Sequence, residues 1–430
     1  MPESSCDAIV IGGGPAGSTA ATVLAMHGRR VLLLEKQKFP RYHIGESMMP
    51  YCWFPLERVG LAEKMKASRF QKKYSVQFVT LDGRAPHPFY FFKHFDHPAS
   101  LTWQVLRSEF DQMLLDNARE KGVEVLEETR VVEFARKKDA VVGVDAVSKS
   151  GEALRFRAPV TIDAGGRDAL SVNRSHWRMP DDKLKRVALW TYYQGATRDP
   201  GQDEGATTVA FLPRKGWFWY IPLADDIVSV GIVAEPDYLF RETRDAAAIF
   251  DREVKVNAWI DRHVAGGRRV QAPGARADAP LVREGPYYLT DEWSYRSKFC
   301  SADGLVLAGD AFGFLDPVFS SGLFLALRGG ELAGDAAHAA LGAGDVSARR
   351  FADYGAQMSR GYEAMRNLVH AFYTHEFSMR ELIGKYPAMR GPVTDCLIGN
   401  LFVDFTELFA RVGEFARLPE TPPVSRPFEA

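Results

Sequence analysis

The sequence predicts an α/β fold with a β-rich insertion and a helical C-terminal region, and three observations carry that expectation. A short apolar run, Ala8-Ile-Val-Ile11, leads into Gly12-Gly-Gly-Pro-Ala-Gly17, and a second run, Val31-Leu-Leu-Leu34, follows one helix-length later. From about residue 175 to 283 the pattern changes to strand-like runs separated by turns. Beyond residue 345 apolar residues recur at spacings of three and four, the period of a helix face.

The opening unit is the most specific part. Ala8 to Ile11 reads as a buried strand, Ser18 to His27 as a helix ended by Gly28, and Val31 to Leu34 as a second strand. Gly12, Gly14 and Gly17 form G-x-G-x-x-G where the helix begins, with Ala16 inside the same turn. Gly12 allows the tight turn, Gly14 lets backbone approach a pyrophosphate, and Gly17 lets helix and strand pack closely. The helix N-terminus offers free N–H groups and a positive dipole end to phosphate. Glu35, closing the second strand, is placed to accept hydrogen bonds from ribose hydroxyls. These features describe a Rossmann-like dinucleotide site. Gly329-Gly330 and Gly342-Ala-Gly344 lie within or just after helical sequence, so there is no second fingerprint and no separate domain for a nicotinamide cofactor.

The loop Phe39-Pro-Arg-Tyr-His-Ile-Gly-Glu-Ser47 follows. Arg41 is a candidate contact to phosphates or adenine, and Gly45, Glu46 and Ser47 offer polar groups toward the other end of a cofactor. Met49 to Met65 reads as a helix and Phe70 to Phe78 as a strand, on which Lys72 and Lys73 point to opposite faces. His87 to His97, dense in aromatics and histidines, reads as a hairpin face. Val105 to Leu115 starts an amphipathic helix with Arg107 near its N-terminus. Val123–Leu126, Val131–Phe134 and Ala140–Val147 read as strands, and so does the run from Val160 into Asp163-Ala-Gly-Gly-Arg167. The insertion carries strands at Arg186–Tyr193, Gly205–Leu212, Gly216–Ile221 and Ile227–Ala234. Gly304 to Ala311 returns to a buried strand ending in Gly309-Asp310, and Asp316 to Gly322 leads into a helix from Leu323 to Leu341. Tyr362, Met365, Val369, Phe372 and Tyr373 share one later face; Leu397, Leu401, Phe405, Leu408, Val412 and Phe415 share another. Pro387 and Gly391-Pro392 separate the two, and both faces are expected to pack on the rest of the chain. Leu418 to Ala430 reads as a tail. The expected division is a dinucleotide-binding domain from 1–72, 105–174 and 296–345, a substrate domain from 73–104 and 175–295, and a helical region over 346–430.

Bulk properties exclude several classes. The net charge of −1, with 25% charged residues over 430, argues against a nucleic-acid or anionic-membrane partner. The first strand starts too early and is too short for a signal peptide or membrane anchor. Cys6, Cys52, Cys300 and Cys396 are scattered without a C-x-x-C pair, which points to a cytoplasmic protein without a disulfide framework. No H-x-x-x-H occurs, and the close pair His94 and His97 has no cysteine nearby, so no metal is expected.

Several motifs carry a resemblance. The fingerprint, V-x-R-x-x-F-D around Arg107, D-A-x-G-R at Asp163–Arg167 and G-D-A at Gly309–Ala311 resemble the FAD monooxygenase fold of the hydroxybenzoate-hydroxylase type, over Asp7 to Leu341. F-x-R-x-H-x-G-E-S at Phe39–Ser47, W-x-W-x-I-P at Trp217–Pro222 and D-P-x-F-S-S-G at Asp316–Gly322 resemble the flavin-dependent halogenases. The chain looks most like their bacterial pyrrole and phenol branch, and lacks the longer insertions of the tryptophan halogenases. The resemblance implies FAD, used as FADH2 from a separate flavin reductase, with oxygen and chloride or bromide as co-substrates. It implies an electron-rich aromatic substrate, either a free small molecule or a group tethered to an acyl carrier protein, in natural-product (antibiotic) biosynthesis. It places Gly309 and Asp310 at the ribityl chain and Arg107 on the phosphate side. Halide would bind at the backbone N–H groups of Ser321 and Gly322. Trp217 and Trp219 would keep organic substrate from the flavin. Lys73, in F-x-x-K-x-x-x-x-F, would be the essential lysine, hydrogen-bonding hypohalous acid or forming a haloamine; His43 is read as structural. Ser75-Val76 stands where close relatives have G-A. The competing readings are a flavin monooxygenase or dehydrogenase without halide chemistry and a non-catalytic flavin-binding protein; Lys73 and the complete W-x-W-x-I-P favour the halogenase.

Overall fold

A computed structural model describes residues 6–274, 285–375 and 377–421. Of the expected tail, 422–430 lies outside the described residues. A six-stranded sheet runs in the order Ser301–Ala302, Leu305–Leu307, Val160–Asp163, Ala8–Ile11, Val31–Leu34, Glu124–Leu126. All its pairings are parallel except the short first one. Its central strands are buried throughout, as a sheet covered on both faces requires. The helix Pro15–Met26 follows the first strand. Gly12 has φ +95, and a Cβ there would lie 2.5 Å from the Ala164 carbonyl oxygen; one on Gly17 would lie 1.9 Å from that of Gly12. The fingerprint glycines are therefore steric requirements of this turn. The helix Gly322–Gly342 crosses Pro15–Met26 closely, with a Cβ on Gly330 falling 2.2 Å from Ala16 O. The later glycine pair thus serves helix packing.

The nine-stranded second sheet takes Ser75–Val79, Phe89–Tyr90, Arg178–Gln194, Thr207–Phe211, Trp217–Pro222, Ile227–Ala234, Arg268–Val270, Tyr288–Ser297 and Gly313–Phe314. Both of its faces are apolar. Trp190, Trp217, Trp219 and Tyr288 pack into the core shared with the first sheet. Leu189, Phe218, Tyr220, Val228, Val230 and Ile232 form a second core with the helices Ala246–Val256 and Ala258–Val264. These helices were not expected in a stretch read as strands and loops. Asp245 and Asn257 cap them, accepting from Ala248 N and from Trp259 N and Ile260 N.

Three expected elements are divided. Met49–Met65 becomes Pro50–Cys52, Trp53–Arg58 and Ala62–Ala67, interrupted where Gly60 turns with φ +82. The Phe70–Phe78 strand splits at Tyr74: Gln71–Lys73 pairs with Thr102–Gln104 in a separate sheet, while Ser75–Val79 joins the large one. The face from Leu397 to Phe415 belongs to two helices, Arg390–Ile398 and Thr406–Val412, parted by Gly399 at φ +96. Gly391-Pro392 does not separate helices; it lies in the first turn of Arg390–Ile398, where proline is tolerated. Among the described residues no helix is long and apolar enough to cross a membrane.

Candidate active site

A cavity of about 1590 Å³ is lined by residues of both large sheets and of the loops between them. Gly12, Gly14, Ala16, Glu35, Arg41, Gly45, Glu46, Ser47, Arg107, Trp217, Trp219, Asp310 and Gly322 all line it. Gly17 and Gly309, both expected at the cofactor, stand behind this wall as packing contacts.

The first helical turn opens at the cavity with Pro15 at its start, so its N–H groups face inward. Glu35 accepts from Gly13 N and from Gln37 N, each at 2.7 Å, which fixes its carboxylate while leaving further acceptor capacity. Arg41 and Arg107 share one carboxylate. Arg41 Nη1 donates to Asp111 Oδ2 at 2.9 Å, and Arg107 reaches both Asp111 oxygens at 2.8 and 2.9 Å. Arg107 Nη1 also donates to Ile44 O at 2.7 Å and Gly45 O at 3.2 Å, so one guanidinium pins the loop. Burial would raise Asp111, but Arg107 and then Arg41 hold it below the usual carboxylate range. Two guanidinium groups thus meet at one carboxylate on the cavity wall, and such groups suit phosphate oxygens. His43, which lines the cavity, is held well below its ordinary value by burial and by Arg107 and Arg41, with Nδ1 2.6 Å from Ile44 O.

Part of the lining is aromatic. Trp217 and Trp219 alternate onto the cavity face of their strand, and Trp219 pairs in register with Gly231, over which its indole lies; a Cβ there would fall 2.2 Å from Trp219 Cζ2. The Trp217 indole donates to Tyr373 Oη at 2.8 Å and the Trp219 indole to Ser229 Oγ at 3.0 Å. Lys73 is buried while Lys72 is exposed. Its Nζ donates to Ser47 Oγ at 2.8 Å and Met48 O at 3.0 Å, below the Phe91 ring. Burial brings this amine down to about 7. Ser47 and Thr207 line the cavity and Lys73 does not, so the amine sits one residue behind the wall. Gly322 lines the cavity at the start of Gly322–Gly342, after Ser320 in the left-handed region; Ser321 is buried beside it.

The glycine-walled helix start, the arginine pair and the Asp310 carboxyl fit a flavin dinucleotide. Tyr42, Trp190, Tyr192 and Ser229, which also surround or support this cavity, were not singled out from the sequence. Period-two alternation puts Trp190 and Tyr192 on one face, but nothing local says which face meets the cavity.

A mostly parallel sheet carrying this turn, joined to a large, mostly antiparallel sheet across an aromatic cavity, defines a flavin-dinucleotide oxidoreductase fold. The family model described as tryptophan halogenase matches residues 7–101 and 85–381, and the chain belongs to that family of flavin-dependent halogenases. It is 35% identical over 334 residues to the flavin-dependent halogenase armH3 of Armillaria mellea, covering 76% of this chain and 66% of the relative. It is 28% identical over 398 residues to a 1H-pyrrole-2-carbonyl-[peptidyl-carrier protein] chlorinase of Pseudomonas fluorescens, covering 87% and 84%. The solved flavin-dependent brominase Bmp2 superposes with a TM-score of 0.84 at 26% identity, over 96% of this chain and 98% of that one. The chain spans 60 to 66% of the length of relatives from Chondromyces crocatus and Armillaria mellea, that from Chondromyces being a tryptophan 2-halogenase.

Proposed function

We propose that the chain is an FADH2-dependent halogenase that uses oxygen and chloride or bromide to halogenate an electron-rich aromatic ring of pyrrole or phenol type. The ring is free or held on a carrier protein, and a separate reductase supplies reduced flavin. The observation that carries this reading is Lys73, a fully buried amine aimed at Ser47 on the cavity wall and brought to about 7 by burial. Likeness to a carrier-protein chlorinase and to a brominase supports the substrate class and leaves the halide open. Four free cysteines, three of them buried, fit a reducing compartment such as the cytoplasm.

Reduced FAD, when bound, supplies the oxygen chemistry that turns halide into an electrophilic halogen. The chain's own residues do the rest. Arg41, Arg107 and the first turn after Gly14 bind the phosphates, and the Ser321 and Gly322 N–H groups hold halide at a helix N-terminus, where the dipole favours an anion. Trp217 and Trp219 fill the space beside the ring and exclude organic substrate. Lys73 is divided between two protonation states near neutral pH. As ammonium it would donate to hypohalous acid arriving past Ser47, and as free amine it would take the halogen from hypohalous acid, the O–X bond breaking and the hydroxide leaving with an amine proton as water.

The test supplies the full chain with reduced FAD anaerobically and mixes it with oxygenated buffer, with and without chloride or bromide. A small scavenger amine traps electrophilic halogen. Halogenated scavenger is expected only with halide present. Hydrogen peroxide as the sole product, whatever the halide, would favour a monooxygenase. Lys73→Met should retain FAD binding and oxygen consumption while losing halogenation of the aromatic ring.

A further inference from the structure

Lys73 keeps its amine where no carboxylate pairs with it. Among the described residues it has no ion-pair partner, and its Nζ donates to Ser47 Oγ and Met48 O. The titratable group that faces it, the Cys52 thiol, is pushed up to about 12 by burial and so stays neutral. A carbonyl oxygen only accepts, whereas a hydroxyl accepts and donates. Of the two partners, Ser47 alone can take a proton from the amine and pass one on.

Backbone holds Ser47 in place. It bridges to Gln104, flanked by Met48 N donating to Trp103 O at 3.1 Å and Val105 N to Glu46 O at 2.7 Å; the same strand, Thr102–Gln104, also pairs with Gln71–Lys73. Ser47 Oγ lies 2.9 Å from Thr207 Oγ1, and Gln104 Nε2 donates to Thr207 Oγ1 at 2.8 Å and to Gly205 O at 3.0 Å. The Gly205 carbonyl fixes which end of that amide is nitrogen. Ser47 thus receives Lys73, Thr207 receives Gln104, and the bond between the two hydroxyls uses one of their two protons. The other proton has no acceptor among the described residues, and Gln104 Oε1 is itself unpaired. Both hydroxyl residues line the cavity, and they keep 6% and 4% of their surface exposed.

We propose that Ser47, backed by Thr207, is the proton relay between Lys73 and the cavity. The proposal rests on the Lys73 reading above and adds the route by which that amine changes its protonation state. When the free amine takes halogen from hypohalous acid, the nitrogen lone pair forms the N–X bond and the O–X electron pair leaves with oxygen. The relay completes the step. Nζ gives a proton to Ser47 Oγ, the surplus hydroxyl proton goes to the departing hydroxide, and water leaves with both hydroxyls neutral again. A Ser47 that served only as an acceptor for the amine predicts the opposite effect of its removal. The ammonium would lose one of its two acceptors, the amine's pKa would fall further, and more free amine would be present below pH 7. Haloamine would then form faster. A relay makes it form more slowly.

The experiment loads the full chain anaerobically with reduced FAD and bromide and mixes it with oxygenated buffer at several pH values, in water and in D2O. Small molecules are stripped away, and thionitrobenzoate counts the oxidising halogen held on the protein, relative to that trapped by a scavenger amine. Lys73→Met sets the background. Wild type is expected to hold more than this background, formed more slowly in D2O. Ser47→Ala should form it about tenfold or more slowly, below pH 7 as well as above, and lose the D2O effect. Ser47→Thr, which keeps the hydroxyl, should restore both. Thr207→Val leaves Ser47 within reach of Nζ and should slow formation less than Ser47→Ala. A Ser47→Ala rate equal to or above that of wild type would overturn the relay and leave the Lys73 reading standing. Wild type holding no more halogen than Lys73→Met, while both feed the scavenger, would overturn the haloamine itself. No electrophilic halogen from wild type at any pH would overturn the halogenase reading.

Discussion

Trp217 and Asp316 are joined through a single hydroxyl. The Trp217 indole donates to Tyr373 Oη at 2.8 Å, and Tyr373 donates to Asp316 Oδ2 at 2.7 Å. Asp316 Oδ1 accepts from Val318 N, shaping the Pro317–Phe319 turn just before Gly322. Burial lifts Asp316 to about 6, with Tyr373 first among the groups that pull it back. The last residue of the helix Ala352–Tyr373 thereby ties a signature tryptophan to the loop at the proposed halide site.

Tyr373→Phe is expected to leave an indole N–H and a carboxylate oxygen buried without partners, costing about 1–3 kcal/mol. Denaturant unfolding measures the loss. If Tyr373 also positions Trp217, the variant releases more free electrophilic halogen per ring halogenated than wild type.

Gly231→Ala should push the Trp219 indole off its strand, since the new Cβ would start 2.2 Å from Cζ2. Overpacking of this kind costs about 1–3 kcal/mol. A changed indole fluorescence with secondary structure retained by circular dichroism is the expected signature; an unchanged spectrum would show that the ring is held elsewhere.

The Lys73 amine carries a stability consequence of definite sign. Burial lowers its folded pKa to about 7, below that of an unfolded lysine, so the penalty is full below pH 7 and fades as pH rises toward about 10. The stability advantage of Lys73→Met over wild type should therefore narrow by about 1.4 kcal/mol per pH unit between those limits. Paired urea titrations at pH 7 and 9 test this. An advantage that stays constant would place the amine in water.

Arg107→Lys keeps the charge but cannot hold both Asp111 oxygens together with the Ile44 and Gly45 carbonyls. The loop from Arg41 to Ser47 should loosen, and the Kd for FAD should rise about tenfold or more. An unchanged Kd would show that the loop is fixed without this guanidinium.

The residues from Ala8 to Glu35 were legible because each requirement is local: four apolar residues for a buried strand, glycines where backbone meets backbone, an acid at the strand end. Alternation showed that only one of Lys72 and Lys73 could be buried, and the choice of Lys73 came from the motif resemblance, F-x-x-K-x-x-x-x-F, with which the burial pattern agrees. Other features depend on partners far along the chain. Tyr373 lies 156 residues from the tryptophan it accepts from, and Trp190 lies 148 residues from the tyrosine it donates to. The large sheet is apolar on both faces, so composition gave no sign of which face looks into the cavity. Gly399 broke a regular apolar spacing that periodicity alone reads as continuous.

The close crossing of Pro15–Met26 and Gly322–Gly342 has a consequence for how the family can diversify. One helix starts at the proposed pyrophosphate end and the other at the proposed halide end, and they touch backbone to backbone at Ala16 and Gly330. The separation between the two anions is thus ruled by main chain, with no side chain free to lengthen or shorten it. Substitutions in the large sheet can reshape the room offered to an aromatic guest while this internal ruler stays at one length.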